Sequence, residues 1–125
     1  MAKIPAGTIG WMDLTVPNAE KVRDFYATVA GWKPAPVEMG GYSDYTMSPP
    51  GSKKPVAGVC HKRGVNAALP SSWIIYIIVP NLTTSLRKCR KLGGKVLVGP
   101  KSMGASRYAV IRDPAGAVCG LYQSA

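Results

Sequence analysis

Two stretches decide how this chain is read: WMDLTVPN, Trp11 to Asn18, and WIIYIIVPN, Trp73 to Asn81. Each is an aromatic-led run that ends in Val-Pro-Asn. Proline has no N–H to give a ladder, so it closes a strand. The asparagine oxygen can then accept from the orphan N–H groups of a helix's first turn. In both copies a glycine follows thirteen positions after that asparagine, Gly31 after Asn18 and Gly94 after Asn81. A left-handed stop at that distance ends a helix of about three turns.

Working outward, the same elements recur. In the first copy Ile9–Val16 alternates, with Met12, Leu14 and Val16 on a face expected to pack on the helix. Trp11, Asp13 and Thr15 are on the other face. Val22, Phe25, Tyr26 and Val29 supply the helix stripe, and strands are expected over Trp32–Val37, Ser43–Met47 and Pro55–His61. In the second copy Leu82, Leu86 and Cys89 form the stripe. Lys95–Pro100, Arg107–Arg112 and Ala117–Gln123 read as strands, the last two joined by the turn residues Asp113, Pro114, Ala115 and Gly116. The expected fold is α+β: two tandem βαβββ modules forming curved mixed sheets around a concave trough. Module one runs from about 8 to 62 and module two from 71 to 123, joined by a linker over 62–70, within a single domain of 125 residues.

The segments WMDLTVPN with DFYATVAGW, WIIYIIVPN with KLGGKVLVGP, and IRDPAGAVCGLYQ together resemble the vicinal oxygen chelate superfamily of glyoxalases, bleomycin-resistance proteins and extradiol dioxygenases. The resemblance runs from Gly10 to Gln123, closest to a hydroxylase-like branch of unassigned activity. It implies a small-molecule site in the trough, a homodimer, and a divalent metal held by His, Glu or Gln from the paired sheets. Carried over by position, the first-strand ligands fall at Trp11 and at Trp73 or Ile74, and the final-strand glutamate falls at Gly120. None of these side chains binds a divalent cation, because indole offers only a donor and glycine offers nothing. His61, the single histidine, lies in the fourth segment. One imidazole does not make a first shell of three or four ligands, so no metal and no other cofactor is expected.

Composition narrows the rest. Sixteen Lys and Arg against six Asp and Glu give a formal charge of +10, a field that attracts anions and repels cationic ligands. Cys60, Cys89 and Cys119 are odd in number and far apart, which favours a reducing cytoplasm over a disulfide scaffold. The longest apolar run, Trp73 to Val79, is far short of the roughly 20 residues that span a bilayer. The leading expectation is a metal-independent protein that binds an aromatic or anionic metabolite. The residues expected at the ligand are Trp11, Asp13, Tyr45, His61, Trp73 and Tyr108, with Met103 in a covering loop. The alternative is a lyase, isomerase or dioxygenase-type enzyme using Asp13 or His61 as its base. A third class, a nucleic-acid or acidic-partner binder, would use Arg87, Lys88, Arg90 and Lys91. The simpler account of that stripe is a solvated helix face, and no nucleic-acid motif accompanies it, so nucleic acid and membrane are not expected partners.

Overall fold

The computed structural model describes residues 4–125. In chain order the elements are β1 (Ile9–Val16), α1 (Ala19–Val29), β2 (Lys33–Glu38), β3 (Ser43–Ser48) and β4 (Ala57–His61). A 3-10 turn at Gly64–Asn66 follows. Then come β5 (Trp73–Ile78), α2 (Leu82–Lys91), β6 (Lys95–Met103), β7 (Ser106–Arg112) and β8 (Val118–Gln123). The fold is α+β, with βαβββ repeated. Two compact units result, Met12–Trp73 and Ile74–Ala125, the second also taking the stretch up to Trp11.

In the first unit the strand order is β2-β3-β4-β1. β1 runs parallel to β4 in the register Leu14↔Val59 and Val16↔His61, and β3 is antiparallel to both of its neighbours. Only a crossover connection can join parallel strands, and α1 with the β2–β3 hairpin supplies it. Leu14, Val16, Tyr45, Met47 and Val59 form one buried face with Ala19, against which Val22, Tyr26, Trp32 and Trp73 pack. Phe25 and Val29, expected in the helix stripe, are exposed instead. The stripe is centred on Ala19, Val22 and Tyr26, which leaves Phe25 to one side, edge-on to the Tyr26 ring at 5.1 Å. Met12 also differs from expectation and is 40% exposed, because it precedes Asp13, the first residue of β1 paired with β4.

The second unit repeats the plan as β5-β8-β7-β6, with β5 parallel to β8. Leu82 and Leu86 of α2 pack on Ala109 and Leu121, with Ile77, Val79, Val96 and Ile111 around them. The two helix starts differ. Asn81 accepts from the Thr84 N–H at 3.0 Å, and Gln123 Oε1 accepts from the Leu82 N–H at 2.7 Å. Asn18 makes no side-chain cap bond, and only its carbonyl takes the Val22 N–H. The expected flexible loop around Met103 is ordered strand: β6 continues to Met103, paired with Ser106 of β7.

Both outer strands are blunted. Pro34 and Pro36 lie opposite Met47 and Tyr45, and neither can donate to the ladder, so their nitrogens fall at the free edge of β2. β6 carries two register shifts against β7 and contains Pro100. Such devices discourage strand addition by another chain. Replacing both prolines, Pro34→Thr with Pro36→Thr, restores two outward N–H groups on an otherwise exposed strand. The variant is expected to form larger species that the parent lacks, visible as a concentration-dependent shift in light scattering. An unchanged mass distribution would remove the edge-protection argument.

Candidate functional site

The end of β4 carries the first unit's one dense polar cluster among the described residues. Parallel pairing sets His61 beside Val16, on the face that α1 covers. Its Nε2 meets Glu20 Oε2 of α1 at 2.5 Å, and its Nδ1 meets Asp44 Oδ1 of β3 at 3.2 Å. The same Asp44 oxygen accepts the His61 backbone N–H at 2.8 Å, and Tyr45 Oη donates to Glu20 at 3.4 Å. The Tyr42 ring is edge-on to the imidazole at 5.4 Å, and the Arg63 guanidinium lies 3.8 Å above the centre of that phenol ring. Both ring nitrogens therefore face carboxylate oxygens.

Asp44 also ties this cluster to the opposite face of the sheet. Asp13 and Thr15 of β1 pair with Gly58 and Cys60 there. Burial pushes the Cys60 thiol well above its ordinary range, the Asp13 and Asp44 charges push it the same way, and the thiol is hydrogen-bonded to Asp44. Cys60 is thus a protonated, unreactive thiol between two carboxylates rather than a nucleophile.

Seen within the second unit, the face away from α2 is aromatic. Tyr76 lies opposite Gly120, and Tyr108 opposite Tyr122, with the Tyr76 and Tyr108 rings 6.3 Å apart. Gly120 is where the resemblance expects a carboxylate. A Cβ built there would lie 2.2 Å from two carbons of the Tyr76 ring. The phenol fills the space that a side chain at 120 would use.

These observations test the divalent metal that the family resemblance implies. Glu20 and Asp44 approach opposite edges of one imidazole, so they do not converge on a common ion. Position 120 has no room for a ligand. Among the described residues no group of three or more His, Cys, Asp or Glu could hold a metal ion. The residues present do not fit the group.

The sequence-derived candidates are dispersed. Asp13 lies on the polar face of the first unit, and Tyr108 on the aromatic face of the second. Tyr45 and Trp73 lie on the helix side instead. Tyr45 is buried in the core, and Trp73 packs against Tyr26 and Trp32 at 5.4 and 5.8 Å, its Nε1 donating to Tyr26 Oη at 3.2 Å. That aromatic triangle accounts for how Trp73 packs. Trp11 is half-buried on β1. A cleft of about 430 Å³ beside Tyr45, lined also by Arg23, Asp24, Pro34, Pro36 and Ser43, was not foreseen. Nor were Glu20 and Asp44. Glu20 reads from sequence as a helix-start acid, and Asp44 gives no signal beyond being one of six acids.

Two outcomes are expected. Gly120→Ala should cost several kcal/mol, in the manner of overpacking, while Gly120→Ala combined with Tyr76→Ala should cost less than the sum of the two single changes. Additive losses in denaturant unfolding would show that the ring does not occupy that space. For Cys60, the raised thiol value means the folded state holds its proton where the unfolded state releases it. Its contribution to stability is therefore complete below about pH 9, the ordinary thiol value, and is lost as pH rises further. At neutral pH Cys60 should resist alkylation in the native protein and react once unfolded; rapid native labelling, read by peptide mass, would contradict this.

Comparison with known proteins agrees with the repeated fold. The profile of the Glyoxalase/Bleomycin resistance protein/Dioxygenase superfamily matches residues 8–119. The Mycobacterium tuberculosis protein CFP32, a glyoxylase by name, is 30% identical over 94% of this chain and 46% of its own length. DnrV of Streptomyces peucetius, named as an anthracycline biosynthesis protein, is 31% identical over 89% of this chain and 39% of its own. The chain thus spans under half the length of these curated relatives. A methylmalonyl-CoA epimerase from Streptomyces coelicolor superposes with a TM-score of 0.62 at 14% identity, covering 97% of this chain and 96% of that one, a likeness of fold. No helix among the described residues is long and apolar enough to cross a membrane. With the repeat, the crossover topology and the profile in agreement, the chain belongs to the glyoxalase/bleomycin-resistance/dioxygenase superfamily.

Proposed function

We propose that the chain is a metal-independent small-molecule-binding member of its superfamily, taking an organic anion with an aromatic or apolar body. The observation that carries this reading is the tyrosine face of the second unit, where Tyr76 takes the space of the expected ligand and Tyr108 and Tyr122 pair beside it. Phenols give flat apolar area with a polar rim, suited to a ring-bearing ligand. The charge supports an anion: between Ile74 and Ala125 there are eight Lys or Arg and one acid, Asp113. Tyr108 is the residue of choice for ligand contact, and pairing of two chains, as the resemblance implies, belongs to the same reading.

A second reading, an enzyme, is favoured by one feature. Asp13 and Asp44 act on the same thiol from the polar face of the first unit, and two acids sharing a low-dielectric face suit proton abstraction. In that reading Asp13 is the base and His61, held by both nitrogens, is a positioning residue. The name of the glyoxylase relative is consistent with it.

The test is titration with matched aromatic carboxylate, neutral amide and amine ligands, together with metal analysis of protein purified without chelators. The carboxylate should bind at least about tenfold more tightly, a difference of about 1.4 kcal/mol, and Tyr108→Ala should weaken it. Indifference to ligand charge, or about one equivalent of bound divalent metal per chain, would overturn the reading. Turnover abolished by Asp13→Asn would move the conclusion to the enzyme.

A further inference from the structure

The outward side of α2 carries Arg87, Lys88, Arg90 and Lys91, all exposed, and the helix holds no acidic residue. Positions 87 and 91, and 88 and 91, are neighbours on a helical surface, so the cations form a stripe rather than a scatter. Arg23 pairs with Asp24, and His61 meets Glu20 and Asp44, all in the other unit. The second unit's single acid, Asp113, spends its Oδ1 on the Ala115 and Ala117 N–H groups of a turn. The C-terminal end of the helix offers about half an elementary negative charge, against four cations.

One apolar residue sits in this stripe. Leu92, one turn after Lys88, is 72% exposed, the highest exposure among the large apolar side chains described. An isolated exposed leucine needs no account by itself. Next to Lys88 and Lys91 on the helix surface it has the layout of a protein interface, an apolar anchor with a charged rim. A phosphate backbone would use the cations but not the leucine. A second copy of this stripe is excluded as the occupant, since it would bring like charges together.

We propose that the α2 stripe with Leu92 docks an acidic protein segment that carries an apolar residue among its carboxylates. The carboxylates face Arg87, Lys88 and Lys91, and the apolar side chain covers Leu92. This surface is separate from the tyrosine face, because α2 packs on the other side of its sheet.

Fluorescence anisotropy of the whole protein tests this with three labelled probes. They are a short peptide of Glu, Asp and Leu, a peptide of Glu and Ser with equal charge, and a short DNA duplex. The leucine-containing peptide should bind about fivefold more tightly than its serine counterpart, as partial burial of one leucine would give. Leu92→Ser should erase that advantage. Arg87→Glu with Lys91→Glu should weaken binding at least about tenfold, while Lys53→Glu with Lys54→Glu, an equal charge change in the other unit, should leave it within about twofold. Melting curves check that every variant is folded. Equal loss from both charge pairs would reduce the effect to net charge and overturn the proposal. So would the two peptides binding alike, or no binding at low salt. Tightest binding by the duplex, indifferent to Leu92→Ser and falling steeply with salt, would assign the stripe to nucleic acid instead.

Discussion

Parallel pairing of the first and last strands of each module is the constraint on which the rest depends. It requires a crossover, which the helix and hairpin supply, and it fixes which residues meet. In the first unit it places His61 beside Val16, within reach of Glu20 at the start of the helix that Val16 leads into. In the second it places Gly120 opposite Tyr76. A slip of one residue in either register would turn every side chain to the wrong face, and the buried helix-side clusters hold against that slip. The same pairing rule thus makes a charged cluster in one unit and an aromatic cover in the other.

The two units treat their helix-free faces differently. On the first unit that face carries Asp13, Thr15 and Cys60, with Asp44 reaching both this face and the imidazole. On the second it carries tyrosines. Carboxylates in partly desolvated surroundings need hydrogen-bond donors. The Cys60 thiol and the His61 backbone N–H provide them at Asp44, and the imidazole lies between Asp44 and Glu20. No buried side-chain polar atom among the described residues lacks a partner.

Much of the fold was legible because it follows from local chemistry. Val-Pro-Asn closes a strand and opens a helix in both copies, and Asp113 to Gly116 turns the last hairpin, with Asp113 bonding as a turn residue should. Side-chain facing was legible only where one face is strictly apolar, as at Leu14 and Val16. The helix-side packing of Tyr45 and Trp73 was not legible because an amphipathic ring fits a core as well as a ligand wall; Tyr45 joins the buried cluster there, and Trp73 packs with Tyr26 and Trp32. Glu20 and Asp44 were invisible for another reason. They lie 41 and 17 positions from His61 in the chain, so only tertiary structure brings them together.

The poor fit of these residues to a divalent metal has two separate physical origins. A carboxylate restored at position 120 would strike the Tyr76 ring, so the second unit needs two changes before it could present a ligand. In the first unit, Glu20 and the largely buried Asp44 already occupy the two nitrogen edges of the His61 imidazole, so an ion there would have to displace one of them. A carboxylate introduced at position 120 alone therefore strains the fold at Tyr76 before it offers a ligand.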